Sequence, residues 1–254
     1  MRLTARLSVI TVDFNRLAIQ PGGRILDIGC GSGRHICAAL QFKNVLAVGV
    51  DINFDDVIEA NNRIAYHAKL DDHDKGTGVV SVADTLDLPF KDNCFDVVIC
   101  SEILEHIHDH QTAVSEITRV LKPGRNLMVS VPRYLPERIC WTFSKDYRNT
   151  DNGHIRIYKN KELIELLETA GVKLWGRHYA HSLHTPYWWL KCLLGPTRED
   201  LRLVNLYHRF LVWDMMKHPW TTRLLEYLLN PLLGKSLVLY FKKDNSSATK
   251  TPSL

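Results

Sequence analysis

Short apolar runs alternate with segments of helical periodicity along the first 180 residues of the chain. The runs predict buried strands at 24–28, 45–50, 79–82, 95–100, 126–131 and 172–180. Lys122-Pro123-Gly124 and Gly171 are typical of helix ends, and each precedes one of these strands. Regular alternation of strands and helices predicts an α/β fold, a doubly wound and mostly parallel sheet with helices on both faces.

The remaining pattern completes a single domain over residues 1–254. We expect an N-terminal helix at 1–20, a core of sheet and helices at 21–180, a helical cap insertion at 181–234 and a last, seventh strand at 235–242. The Ser/Thr/Lys-rich tail at 244–254 is predicted to be disordered.

The predicted cap has leucine and aromatic residues at helical spacing, which indicates two or three amphipathic helices. Three interpretations remain open. The cap is a lid over the sheet edge, a membrane-facing surface above an apolar acceptor channel, or a surface for a protein partner or second copy. The pattern does not indicate an oligomeric state.

Composition narrows the function classes. The formal net charge is only +4, and the basic residues of the second half stand among large aliphatic side chains, which argues against a nucleic-acid partner. The six cysteines have no CxxC or zinc spacing, so we expect free thiols in the reducing cytoplasm. No apolar run has the length of a membrane span.

A glycine-rich loop, Asp27-Ile28-Gly29-Cys30-Gly31-Ser32-Gly33, follows the first predicted strand. Glycines let the backbone turn sharply and approach a ligand, and the carboxyl ends of parallel strands are where α/β sheets bind ligands. The dinucleotide pattern G-x-G-x-x-G fails in both registers, because its last position falls on Arg34 or Ile36. The remaining pattern is D-x-G-x-G-x-G.

This loop resembles motif I of the class I S-adenosylmethionine-dependent methyltransferases. Other stretches follow in the order of that family, namely Asp51, Asp84, Leu88-Pro89-Phe90, Phe95-Asp96-Val97-Val98 and Leu121-Lys122-Pro123-Gly124. The resemblance covers about residues 24–132 and is closest to the methyltransferase type 11 group, which includes the ubiquinone and menaquinone biosynthesis enzymes. It implies a Rossmann-like fold and S-adenosyl-L-methionine as the methyl donor.

The resemblance also assigns donor-binding roles. Asp27 suits the positively charged amino acid end of the donor, Asp51 the ribose hydroxyls and Asp84 the adenine amino group. Ile52 and Thr85 would flank the adenine ring. The full set of expected cofactor-binding residues is Asp27, Gly29, Cys30, Gly31, Gly33, Asp51, Ile52, Asp84, Thr85 and Ser101.

Glu102-Ile103-Leu104-Glu105-His106 follows the fourth predicted strand. On a helical turn, Glu102, Glu105 and His106 would share one face, and we expect them to be the catalytic residues beside the methyl group. The stretch resembles the E-x-x-E-H metal motif of the quinone and small-RNA 2′-O-methyltransferases, with His154 as a further ligand. A metal site, a His106 base and a structural pair all stay open, and our main interpretation has no metal.

Two further groups of residues are less informative. Arg133, Tyr134 and Trp141 follow the fifth strand and would line an acceptor pocket or form a packed surface loop. His178, His181 and His184 are close in sequence, but their orientation at a strand-to-loop transition is not given by spacing. We therefore assign no site to these histidines.

We expect a cytoplasmic S-adenosylmethionine-dependent methyltransferase that acts on a small or lipid-like acceptor, and a peripheral membrane contact through residues 181–234 stays open. One alternative is a metal-assisted O-methyltransferase acting on a catechol-like or ribose hydroxyl. The other is a pseudo-enzyme that keeps the cofactor-binding fold and works as a partner protein. The intact Asp51 and Asp84 argue against the pseudo-enzyme.

Overall fold

A computed structural model describes residues 10–70, 76–148, 153–195, 198 and 201–245. In these residues the strands are β1 (Arg24–Ile28), β2 (Leu46–Asp51), β3 (Thr77–Val82), β4 (Phe95–Ser101), β5 (Leu121–Pro132), β6 (Val172–Ala180) and β7 (Ser236–Lys243). The helices are α1 (Arg34–Ala39), α2 (Phe54–Leu70), α3 (His110–Val120), α4 (Tyr134–Phe143), α5 (Lys145–Arg148), α6 (Asn160–Thr169), α7 (His184–Leu194), α8 (Arg202–Lys217) and α9 (Trp220–Leu233).

The described strands form one seven-stranded sheet in the order β3-β2-β1-β4-β5-β7-β6. β7 pairs antiparallel with both of its neighbours, and the other pairings are parallel. Apolar cores cover both faces, so central strands such as β4 are buried along almost their whole length. This explains their continuous apolar sequence and confirms the predicted fold class.

The strand order reverses at β1, which lies between β2 and β4. In doubly wound sheets a crevice opens at this reversal, outside the carboxyl ends of the strands. The glycine-rich loop after β1 and the segment after β4 both start at this edge. The fold therefore brings together the two stretches that the sequence singled out.

The N-terminal segment differs from the prediction of a helix over residues 1–20. In its described part, only Phe14–Leu17 form a single 3-10 turn, and residues 1–9 lie outside the described residues. Val12 and Leu17 are both buried in the core, and a spacing of five residues does not place two side chains on one helix face. The segment therefore follows the core surface instead of forming a helix.

The predicted tail begins within the described residues. The backbone N–H of Asp244 donates to the carbonyl oxygen of Gly171 at 3.0 Å, so the chain stays attached to the sheet just beyond β7. Most of the stretch that we predicted to be disordered, residues 246–254, lies outside the described residues.

The region at 181–234 contains α7, α8 and α9. α7 packs against α4 and α8, while α9 packs against β6. The three helices connect the end of β6 to the start of β7. Among the described residues, no helix is both long and apolar enough to cross a membrane.

Candidate active site

The glycine-rich loop turns sharply between β1 and α1. Gly29 has φ +64° and Gly31 has φ +49°, both in the left-handed region where a side chain is strained. A Cβ at position 29 would lie 2.0 Å from Cδ1 of Ile103, so the loop packs directly on the segment after β4. A Cβ at position 31 would meet no heavy atom within 4 Å among the described residues. The loop therefore has a free side at Gly31.

Asp51 holds this loop in place. Its Oδ2 accepts a hydrogen bond from the backbone N–H of Gly31 at 2.8 Å, and its Oδ1 accepts one from Asn53 at 2.9 Å. The N–H of Cys30 donates to the carbonyl oxygen of Val50, which joins the loop to the end of β2. Each carboxylate oxygen has a second lone pair, so Asp51 can still accept from a ribose hydroxyl.

The end of β3 lies beside the end of β2. Asp51 pairs with Val82, and Asp84 follows two residues later, where its Oδ1 accepts from the N–H of Leu86 at 2.9 Å. Ile52, next to Asp51, is 72% exposed, which is costly for a large apolar side chain unless something covers it. The predicted adenine-binding residues are therefore on adjacent strand ends, and their contact with a ring stays a prediction.

Asp27 lies beneath the loop. It is 1% exposed, its Oδ1 is 3.4 Å from Nδ1 of the equally buried His35, and neither oxygen has a hydrogen-bond partner among the described residues. A buried carboxylate of this kind is normally satisfied, so its free oxygens point to a missing cation or hydrogen-bond donor. Together with the open side of Gly31, this fits the positively charged donor that the sequence predicted.

The end of β4 is fixed by a small polar network. Ser101 Oγ lies 2.8 Å from Ser130 Oγ and accepts from Arg34 at 3.3 Å. Glu102 has φ +58°, a conformation that costs a non-glycine residue about 1–2 kcal/mol. Two hydrogen bonds with Ser130, one through its backbone and one through its side chain, hold Glu102 in this conformation.

The prediction that Glu102, Glu105 and His106 share a helical face is wrong. The segment from Ser101 to α3 contains turns and no helix, because the positive φ of Glu102 ends β4 in a backbone conformation that a helix does not contain. Glu105 is completely buried and both of its carboxylate oxygens lack hydrogen-bond partners among the described residues. Burial, and then the charge of Glu102, raises the pKa of Glu105 well above its usual value.

The structure instead brings His106 and Glu105 to His154. The His106 and His154 rings meet edge to face at 4.9 Å, and His106 Nδ1 is 3.3 Å from the carbonyl oxygen of Gly153. Nitrogen and oxygen atoms of Glu105, His106 and His154 all come within 4.8 Å of one another. Burial, and then the charge of His154, lowers the pKa of His106, so this imidazole is neutral at pH 7.

Glu137, which the sequence analysis missed, orients His154. Its Oε1 lies 2.6 Å from His154 Nδ1, and its Oε2 accepts from Tyr147 Oη at 3.4 Å. Burial would raise the pKa of Glu137, but the hydrogen bond and charge of His154 outweigh it and lower that pKa. Glu137 lies on α4, where the sequence pattern had loosened, so no local signal could have found it.

Arg133 directly precedes α4, and Tyr134 and Trp141 lie on this helix, so the alternative of a packed surface loop is wrong. Arg133 stacks over the Tyr179 ring at 4.1 Å and donates to the carbonyl oxygen of Leu232. Tyr134 accepts from Arg138, and Arg148 lies over the ring of Trp141.

His178, His181 and His184 border a separate cavity of about 360 Å³ beyond the end of β6. Burial lowers the pKa of all three imidazoles, that of His184 to about 4. The ring of His178 stacks on Tyr240, whereas the rings of His181 and His184 are 5.6 Å apart.

Comparison with known proteins shows the family of the chain. Residues 5–176 match the model of a methyltransferase domain family. The chain is 37% identical over 126 residues to 27-O-demethylrifamycin SV methyltransferase of Amycolatopsis mediterranei, covering 50% of this chain and 42% of that one. It is 29% identical over 227 residues to cycloartenol-C-24-methyltransferase of Arabidopsis thaliana, covering 84% and 61%.

Solved structures share the fold at low sequence identity. An S-adenosylmethionine-dependent methyltransferase from Methanosarcina mazei aligns with a TM-score of 0.59 and 17% identity, over 93% of this chain and 99% of that one. The [4+2]-cyclase SpnF aligns with a TM-score of 0.59 and 19% identity, over 91% and 77%.

The chain belongs to the methyltransferase domain family, within the class I S-adenosylmethionine-dependent methyltransferases, and S-adenosylmethionine is the cofactor of this class. The chain spans about half the length of the curated relatives that it matches. The family match ends at residue 176, so α7, α8, α9 and β7 lie beyond it.

Proposed function

We propose that the protein transfers a methyl group from S-adenosylmethionine to a small or lipid-like acceptor. The observation that carries this proposal is the loop after β1, which Asp51 fixes and which leaves open space at Gly31. The names of relatives support the acceptor class, since two of them act on a rifamycin and on the sterol cycloartenol.

Each group of residues has a separate role in the proposed methyl transfer. When bound, S-adenosylmethionine supplies a methyl group activated by its positively charged sulfur. The loop glycines and Asp51 hold the donor, with Asp27 compensating its positive charge from below. His106, which is neutral, accepts a proton from the acceptor, and Glu102 is held in its left-handed conformation at the edge of the same crevice.

Titration with S-adenosylhomocysteine tests the donor site. We expect micromolar binding by calorimetry, weakened at least roughly tenfold in Asp51→Ala, a loss of about 1.4 kcal/mol. Asp55→Ala is the matched control, because Asp55 is an exposed carboxylate at the start of α2, outside the loop. Absence of binding by the folded wild-type protein would contradict the proposal and favour the pseudo-enzyme.

A metal-assisted O-methyltransferase is the second candidate function. The observation in its favour is the convergence of Glu105, His106 and His154 within 4.8 Å. Glu102 does not join this set, so the predicted four-residue site is reduced to three. If a metal assists, a chelator abolishes methyl transfer and Mg²⁺ restores it. Activity that a chelator leaves unchanged excludes this candidate.

We further propose that the cap contacts an anionic membrane surface. α8 and α9 expose large apolar side chains, namely Leu203, Leu206, Trp213, Met216, Trp220, Leu224, Tyr227, Leu228 and Leu232. The one carboxylate of each helix, Asp214 or Glu226, is turned inward to Arg223. Arg202, Arg209 and Lys217 remain exposed, so the outer face is apolar and basic, as interfacial helices are.

Cosedimentation with vesicles tests this contact. We expect binding to phosphatidylcholine vesicles that contain phosphatidylglycerol, weaker binding without it, and loss of binding in the double variant Trp220→Ser/Tyr227→Ser. Tyr66→Ser is the control, because Tyr66 is 62% exposed on α2, which packs against α1, β2 and β3. A dimer in solution without vesicle binding would instead support the partner-surface interpretation.

A further inference from the structure

A polar cavity of about 360 Å³ lies between residues 10–13, the end of β6 and the cap helices. Its lining includes His181 and His184 from the start of the cap, Asp214 from α8, and Arg223 and Glu226 from α9. The proposed donor and acceptor chemistry uses none of these side chains. This half-buried group of imidazoles and carboxylates therefore has no role in that chemistry.

We propose that His181, His184 and Glu226 bind one divalent transition-metal ion of the zinc type. A ring nitrogen from each histidine and a carboxylate oxygen of Glu226 all lie within 4.8 Å of one another. Ligand atoms around a tetrahedral zinc ion are about 3.4 Å apart. Side-chain rotations that move these atoms by about 1 Å would therefore complete the site. Two imidazoles with one carboxylate form a donor set that suits zinc better than magnesium or calcium.

The backbone at His181 supports a specialised role. His181 has φ +66°, a strained conformation for a residue with a side chain, and its carbonyl oxygen accepts from the N–H of His184 at 3.0 Å. This tight turn brings the two imidazole rings to 5.6 Å. Strain of this kind persists only where the surrounding structure holds it, and it is common at ligand sites.

The hydrogen bonds around the proposed ligands leave nitrogen and oxygen atoms available near the ion. His181 Nε2 lies 3.2 Å from Thr11 Oγ1, which leaves Nδ1 for the metal. Among the described residues, His184 Nδ1 and the deeply buried Asp214 Oδ1 have no hydrogen-bond partner. A carboxylate that does not itself touch the metal commonly orients a metal-bound imidazole or water, and Asp214 could do so through Oδ1.

Two carboxylates lie beside the histidines in this cavity. Arg223 forms ion pairs with both Asp214 and Glu226, so two carboxylates share one guanidinium. With three protein ligands, the fourth position would face the cavity and would be open to water or a small ligand.

Metal titration of the full chain tests this site. The protein carries the double substitution His106→Ala/His154→Ala, so that the cluster near β4 does not contribute, and a chelator first removes any bound metal. We expect one equivalent of Zn²⁺ by calorimetry and a visible absorption band of tetrahedral Co²⁺ in a parallel titration. Adding His184→Ala should weaken Zn²⁺ binding by roughly a hundredfold and remove the band.

Glu226→Gln provides a second variant with little change of shape, and we expect it to weaken Zn²⁺ binding at least roughly tenfold. His178→Ala is the matched control, because this imidazole borders the same cavity outside the proposed ligand set. S-adenosylhomocysteine binding reports separately that each variant is folded and that the donor site is intact. The proposal is overturned if the folded parent protein binds no Zn²⁺, or if His184→Ala and Glu226→Gln bind Zn²⁺ as tightly as the parent protein does. Neither result would affect the proposed methyl transfer.

Discussion

Replacing Gly31 with alanine separates the strain of the glycine-rich loop from its role in donor binding. At φ +49° an alanine is strained by about 1–2 kcal/mol, partly offset because glycine loses more chain entropy on folding. The new methyl group would contact no heavy atom within 4 Å of the described protein, so packing adds no further cost. We therefore expect a loss of about 1 kcal/mol in the free energy of unfolding.

Donor binding should suffer more, because the methyl group would project into the open space where the ligand approaches the loop. We expect S-adenosylhomocysteine affinity to fall at least roughly tenfold, about 1.4 kcal/mol or more. Urea denaturation measures the first effect and calorimetric titration the second, on the same preparation.

Gly171→Ala is the matched control. Gly171 has φ +88°, and a Cβ there also meets nothing within 4 Å among the described residues, but it lies between α6 and β6, away from the loop. It should lose a similar stability and keep full donor affinity. If Gly31→Ala bound S-adenosylhomocysteine as tightly as the wild type, the assignment of this loop as the donor site would be refuted.

Three further substitutions test the packing and charge of the site. Gly29→Ala should destabilise the protein by about 2 kcal/mol or more in urea denaturation, because its Cβ would lie 2.0 Å from the Ile103 side chain. Glu105→Gln should be more stable than the wild type at pH 8 and similar at pH 4. Because the pKa of Glu105 is raised in the folded protein, protonation of Glu105 stabilises the folded state. This stabilisation is complete below pH 4.5 and is lost as the pH rises through the folded-state pKa. Exposed Glu162→Gln should show no such difference. Glu137→Gln should cost about 1–3 kcal/mol at pH 7, a difference that shrinks as the pH falls below 4.5, because the lowered pKa of Glu137 makes its contribution depend on ionisation. Thermal unfolding across pH measures both glutamate variants, and parallel curves for variant and wild type would contradict either prediction.

The strand and loop positions could be read from sequence because their signals are local. β6 occupies the predicted residues 172–180, β4 extends one residue beyond its predicted end, and β7 is shifted by one residue at both ends. A strand that is buried on both faces has a continuous apolar sequence, and glycine or proline marks its ends. These local signals specify the strand without information from distant residues.

The cluster of Glu105, His106 and His154 was predicted only in part, because backbone conformation and the packing of distant elements decide which residues join it. Helical spacing placed Glu102 with Glu105 and His106, but the positive φ of Glu102 directs it to Ser130 instead. Glu137 joins through α4, for which the pattern gave no signal.

The sequence by itself determined the order of strands and helices, the glycine-rich loop and the aspartates at the ends of β2 and β3, because each depends on neighbouring residues. Only the tertiary structure decided which side chains meet. In the folded protein His154 contacts Glu137. Glu226 lies beside His181 and His184, from which it is separated by 42 residues or more along the chain. Such convergence depends on how separate elements pack, and sequence spacing carries no information about the distance between them.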